Sequence, residues 1–175
     1  EESWKEFLPK GLTKELFLDI SKYYDKDVLV GAGLRIRKLA KAADEYTPNI
    51  RAGKIFEILS KFKNPDKETV LTPWNVVNMH LSETIGGYSF FDENNNELDE
   101  PILVDKGKIT KDIIYNKDAK VLEINSKSGL YPLYMAYSFY NMQIKGKEKD
   151  KKIEELQLIW KQVLENNIFV LCKTK

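Results

Sequence analysis

The feature that most restricts how this chain can fold lies in its last third, where two continuous apolar runs flank a helical stretch. Lys120 to Ile124 reads as a strand, Asn125 to Gly129 as a loop and Leu130 to about Met142 as a helix. A charged linker, Lys145 to Lys152, and a second helix, Ile153 to Leu164, then lead through Glu165-Asn166-Asn167 into another strand, Ile168 to Leu171. Strands that are apolar at successive positions, rather than alternate ones, are expected where both faces of a sheet are covered. Because a helical crossover separates them, the two strands should run parallel, as a βαβ unit.

Ahead of that unit the texture is helical. Apolar residues recur at three- and four-residue spacing in Leu12, Leu16, Ile20 and Tyr23, again in Leu29, Ala32, Ile36, Leu39 and Ala43, and again in Ile55, Phe56, Leu59 and Phe62. Within the second run, Val28-Leu29-Val30-Gly31-Ala32-Gly33 resembles a strand entering a Gly-x-Gly turn, but position 36 is Ile and the helical period continues through the glycines. They are read as small residues in a helix packed closely against a neighbour, at about 1 kcal/mol each relative to alanine. Asn64-Pro65-Asp66 breaks the pattern, because proline disfavours helix in the residue before it. A boundary is expected there, between a helical segment 1–65 and a unit 66–175.

The next helix is announced by Thr72 as N-cap and Pro73 at the first helical position, and should run to about Ile85 before Gly86-Gly87. Tyr88 to Phe91, Pro101 to Val104 and Ile113 to Tyr115 are short β-prone runs, with Asp92 to Asn96 as the clearest loop. No internal repeat is visible.

Composition narrows the function classes. Lys and Arg total 28 against 27 Asp and Glu, so net charge gives no argument for nucleic-acid binding. The single cysteine, Cys172, excludes an internal disulfide and a multi-cysteine zinc site, and fits a reducing cytoplasm. Apolar stretches such as Leu130 to Phe139 fall short of the roughly 20 residues that cross a bilayer, so no membrane segment is expected. Glu1-Glu2-Ser3-Trp4 carries neither an initiator Met nor a signal pattern, and the chain is expected to begin within a longer protein.

Chemistry is expected where a strand hands over to a helix, because ligands of open α/β sheets bind at the carboxyl ends of strands. Val121-Leu122-Glu123-Ile124-Asn125-Ser126-Lys127-Ser128-Gly129 puts an acidic residue and then a glycine at that edge. It resembles motif I of S-adenosylmethionine-dependent methyltransferases, whose acidic side chain lies near the methionine end of the cofactor. Val70-Leu71-Thr72-Pro73-Trp74-Asn75-Val76-Val77-Asn78-Met79 resembles motif X of the adenine-N6 DNA methyltransferases, in which a Thr-Pro opens a helix beside the cofactor. Motif X ahead of motif I is an order that family uses, and the stretch from Asn64 to Tyr134 is similar to large restriction-modification proteins with a nuclease or helicase-like part before the methylase.

That resemblance covers about the last two-thirds of the chain, with residues 1–63 similar to the helical segment before motif X. It implies an α/β fold in which the helical subdomain is followed by the first part of a doubly wound, Rossmann-like methyltransferase sheet. It implies S-adenosylmethionine as cofactor, held near Thr72, Pro73, Glu123, Asn125, Ser126 and Gly129. Double-stranded DNA, the remainder of the methylase and a nuclease or helicase-like part are the implied partners, in the cytoplasm. Two departures stand out: this loop has only Gly129 where most members have two or three glycines, and no acidic residue ends the second strand, Leu171-Cys172-Lys173.

The family's catalytic tetrapeptide, Asn or Asp followed by Pro-Pro and an aromatic residue that stacks on the flipped adenine, does not occur. The prolines sit at 9, 48, 65, 73, 101 and 132, none adjacent. The chain is expected to end inside the methylase domain after its second strand, and to be inactive alone. The alternative is a non-catalytic module that binds DNA or links restriction-enzyme domains. His80, the only histidine, is read as a packing or surface residue, Cys172 as a small core residue, and Trp74, Tyr131 and Tyr134 as core or as walls of a pocket. Arg35, Arg37, Lys38 and Lys41 form the best local basic patch, with a solvated helix face as its plain reading.

Overall fold

The computed structural model of the chain describes residues 13–23, 25–60, 70–147 and 150–172, the side chains of Phe17, Lys26, Leu29, Asn125 and Cys172 excepted. Helices α1 (Lys14–Ser21), α2 (Lys26–Ala43), α3 (Pro48–Ser60) and α4 (Trp74–Thr84) precede a hairpin of β1 (Gly87–Phe91) and β2 (Glu97–Val104). Then follow α5 (Lys108–Ile113), β3 (Val121–Ser126), α6 (Leu130–Ile144), α7 (Ile153–Asn167) and β4 (Ile168–Cys172). The chain is thus mixed α/β, with β1 and β2 antiparallel and β3 and β4 parallel.

Side-chain caps start the first two helices. The Thr13 hydroxyl accepts from the Leu16 N–H, and the Asp25 carboxylate accepts from the N–H groups of Asp27 and Val28. Helix α2 runs straight through Gly31 and Gly33, as the periodicity requires. The reason offered for those glycines fails, since an added Cβ would meet nothing within 4 Å at either position. Close packing does not require them. Large apolar residues of this helical pair stay open to solvent, among them Leu18 at 58%, Val28 at 68% and Leu34 at 61% exposure.

The core is built around α6, whose residues from Tyr134 to Asn141 are buried without interruption, so the helix is covered on every side. Phe56 of α3 stacks on Trp74 at the start of α4, ring centroids 3.9 Å apart, and meets Phe90 of β1 edge-on at 5.0 Å. Burying a side chain such as Phe56 contributes roughly 1.5–3 kcal/mol. Helix α3, from the first third of the sequence, therefore closes the same core as the rest. The boundary expected at 64–66 lies outside the described residues, as does Phe62.

Two local expectations need correction. Thr72 is not the cap of α4: Pro73 takes that position with φ −60° and ψ 150°, and its carbonyl accepts from the Val77 N–H at 3.0 Å. The pyrrolidine ring fixes φ but leaves ψ extended, so proline stands one residue ahead of the helix instead of within it. Ile113 to Tyr115 is not a strand. Gly107, at φ 71°, turns the chain out of β2, and the Thr110 hydroxyl accepts from the Lys106 N–H at 2.7 Å and donates to the Ile85 carbonyl at 2.8 Å. These contacts wind α5, and Ile114, the residue that caps its end, is buried in the core.

Asn167, buried at the end of α7, sets the parallel pair. Its amide donates to the carbonyls of Lys117 at 2.8 Å and Ala119 at 2.7 Å, which brings the start of β4 beside the start of β3. The register then pairs Val121 with Ile168, Leu122 with Phe169, Glu123 with Val170 and Ile124 with Leu171, and it shifts between Ile124 and Ser126. Val121 and Ile168 pack on the core. By the two-residue period of a strand, Leu122, Ile124, Phe169 and Leu171 point to the opposite face, where they are 60%, 69%, 43% and 58% exposed. Continuous apolar runs predict cover on both faces; among the described residues only the face of Val121 and Ile168 has it, and only at the start of the strands, since Val170 on that face is exposed.

Candidate functional site

The candidate site is the carboxyl end of β3 and the entry to α6. Gly129 takes the cap position of α6 in a left-handed conformation, φ 74° and ψ 8°, with no side-chain cap and open space where a Cβ would stand. A left-handed residue costs little only as glycine, so this one turn does need the glycine of the sequence motif. The start of this 15-residue helix carries the positive end of the helix dipole. Asn125 falls at the register shift that ends regular pairing, and Ser126 beyond it is paired with Cys172 and half-buried.

Glu123 projects from β3 with its Oε2 shielded from solvent and without a hydrogen-bond partner. It lines a groove of about 760 Å³ that runs from Lys120 along β3 to Ile124, with Ile85 just after α4, Asp112 of α5 and Tyr131 of α6 on its other walls. Beside it the Tyr131 hydroxyl meets the His80 Nδ1 at 3.2 Å, and the rings stand edge to face at 5.8 Å. His80 thus joins α4 to the first turn of α6.

The two sequence motifs approach each other through their flanks. Lys127 in the loop after β3 donates from Nζ to the Val70 carbonyl at 3.4 Å. Thr72 is half-buried in the segment leading into α4. Pro73, however, lines a different cavity of about 360 Å³, walled by Phe56, Trp74 and Phe91, and Glu123 is not part of it. The structure therefore brings Glu123, Ser126 and Gly129 together on one edge, sets the Val70–Thr72 segment beside that edge through Lys127, and turns Pro73 towards α3 and the hairpin. Trp74 and Tyr134 are fully engaged in the core.

Lys127, Asp112 and Lys120 were not singled out from the sequence. Asp112 immediately precedes the β-prone run Ile113 to Tyr115, and Lys127 stands in the loop before Gly129; neither carries a sequence signal of its own. Arg35, Arg37, Lys38 and Lys41 are all exposed along α2. Among the described residues, no group of three or more His, Cys, Asp and Glu is placed to hold a metal ion, and no helix is long and apolar enough to cross a membrane. No family model, curated protein or solved structure matches the chain.

Proposed function

We propose that residues 70–172 are the cofactor-binding start of an S-adenosylmethionine-dependent adenine-N6 DNA methyltransferase, with a Rossmann-like sheet that further strands complete. The observation that carries this reading is the pairing, on one strand end, of an unpartnered carboxylate oxygen on Glu123 with the open, glycine-capped start of α6. The amino-acid part of the cofactor is a zwitterion. Its ammonium group suits Glu123, and its carboxylate suits the N–H groups at the helix start. Ser126 and the Val70–Thr72 segment, tied in by Lys127, wall the same end of the strand.

The cofactor supplies an electrophilic sulfonium methyl group, and these residues bind and orient it. They do not supply the groups that hold a flipped adenine, because no Asn/Asp-Pro-Pro-aromatic sequence occurs in the chain. Methyl transfer to DNA then belongs to a longer protein, and the nuclease or helicase-like part stands as its partner. The ribose contact has to come from elsewhere, because the sequence Leu171-Cys172-Lys173 carries no acidic residue.

Calorimetric titration of S-adenosylmethionine or S-adenosylhomocysteine into a chain extended through the catalytic motif tests the reading. Heat of binding that Glu123→Gln removes is the expected result, and no binding by the extended chain rejects it.

A second reading, a non-catalytic module that links domains or binds DNA, draws on the exposed apolar residues of α1 and α2, such as Leu18 and Leu34. It predicts DNA or partner binding by the chain without cofactor, unaffected by substitution of Glu123 and Gly129.

A further inference from the structure

We propose that the cavity between α3, the start of α4 and the β1–β2 hairpin is a binding site for a small amphipathic amine, a free molecule with an apolar body and one protonated ammonium group. Glu123 does not line this cavity, and the inference does not rest on the methyltransferase reading.

The walls are aromatic for a reason built into the hairpin. Side chains of a strand alternate between faces, so Phe90 and Phe91 in a regular strand would point opposite ways. The register of β1 on β2 shifts between Ser89 and Phe91, and both residues line the cavity, their ring centroids 5.2 Å and 6.3 Å from that of Trp74. Such shifts re-aim side chains beside functional sites. Phe56 from α3 and Trp74 from α4 complete the wall. Gly53 keeps the space open, since it lines the cavity from within α3 and an added Cβ there would meet nothing within 4 Å. A glycine inside a helix costs about 1 kcal/mol relative to alanine, so the gap stands against helix propensity. At about 360 Å³ the cavity lies at the lower end of the range of ligand pockets, roughly 300–1,000 Å³, and holds one small molecule.

Charge decides which small molecule it is. Glu57 of α3 and Glu97 of β2 line the cavity, and among the described lining residues there is no lysine, arginine or histidine. Glu57 also meets Lys54 in a long contact, 3.9 Å, but Lys54 does not line the cavity. Aromatic faces attract a cation, and carboxylates accept strong hydrogen bonds from an ammonium group. The ligand therefore needs an apolar body to use the aromatic wall and a positive charge to use the two glutamates. A carboxylate in the same place would be repelled.

The experiment titrates the full 175-residue chain with phenethylamine, with its neutral twin phenethyl alcohol and with the anion phenylpropionate, following the indole N–H resonance of Trp74. The amine should shift that resonance to saturation at millimolar concentration. The alcohol should bind several-fold more weakly, and the anion not at all. Glu97 is exposed, so Glu97→Gln should leave the fold intact and weaken the amine towards the alcohol. Gly53→Leu should fill the cavity and abolish the response to both without lowering the helix content or the urea midpoint. No saturable shift with the amine overturns the proposal. So does equal binding of amine and alcohol, or amine binding that survives Gly53→Leu. Amine binding that Glu123→Gln removes also overturns it, because the ligand then sits at the end of β3. The methyltransferase reading is tested by a different ligand, S-adenosylhomocysteine, so the two can fail separately.

Discussion

Lys127 donates to the carbonyl of Val70 at 3.4 Å, joining the loop after β3 to the segment that leads into α4. The contact spans 57 positions of sequence and is exposed, so its value lies in placing the loop more than in stability. Exposed single contacts of this kind contribute about 0–1 kcal/mol.

Lys127→Met should accordingly leave the urea midpoint almost unchanged while speeding amide exchange in residues 127–129. A shift in the midpoint as large as that of a core substitution would show that the contact holds the fold itself. Unchanged exchange would show that it does not position the loop.

Gly129 and Gly87 should respond to alanine for different reasons. At Gly129 the cost is backbone strain alone, about 1–2 kcal/mol, because φ is positive and the space is open. Gly129→Asn should recover part of it, since asparagine tolerates that conformation. At Gly87, φ 105°, an added Cβ would also lie 2.6 Å from the Ser138 hydroxyl, which itself accepts from the Tyr88 N–H at 3.1 Å. Gly87→Ala should therefore cost more than Gly129→Ala when the two are compared by urea denaturation.

Asn78 holds β1 against α4. It is fully buried, and its Oδ1 accepts from the Ser89 hydroxyl at 3.0 Å and the Phe90 N–H at 3.1 Å. Asn78→Ala strands a buried backbone N–H, at about 1–3 kcal/mol, beyond any cavity it opens. Thermal unfolding should show the loss, and Asn78→Asp should restore part of it by keeping the acceptor.

Alkaline pH should unfold the protein through its buried phenols. Burial raises the Tyr137 hydroxyl to about 12, helped by the nearby Tyr88 and opposed by its bond to Asn141, and it raises Tyr134 further still. Tyr134 also donates to the Gly86 carbonyl at 3.0 Å. Both phenols keep their protons more tightly in the folded state. Their stabilising contribution is thus complete below the ordinary tyrosine value near pH 10, and for Tyr137 it is lost as pH rises from there through about 12. Denaturant midpoints measured from pH 8 upwards should fall above about pH 10, and Tyr137→Phe should blunt the fall.

What could be read from the sequence follows from how far each signal reaches. The strand, loop and helix from Val121 to Ile144 was legible because an apolar run, a single glycine and a long helical period are each local and agree. The end of helix α5 reads as strand because Ile113-Ile114-Tyr115 favours strand intrinsically, while the contacts that wind the helix reach back to Ile85 and Lys106. The bare face of the parallel pair was illegible for a related reason: apolar runs report that a strand is suited to burial, and only the rest of the assembly decides whether both faces receive it. Of the site, Glu123 and Gly129 could be named from spacing, whereas Lys127 and Asp112 gain meaning only from where the fold puts them.

The central proposal places the amino-acid part of S-adenosylmethionine at the end of β3. The most direct measurement is a titration of the isotope-labelled chain, extended through the catalytic motif, with S-adenosylhomocysteine, followed by amide resonances. Progressive shifts at Thr72, Ser126 and Gly129 that disappear in Glu123→Gln are expected. Resonances there that stay fixed at millimolar ligand, or that move equally when Glu123 is replaced, contradict it.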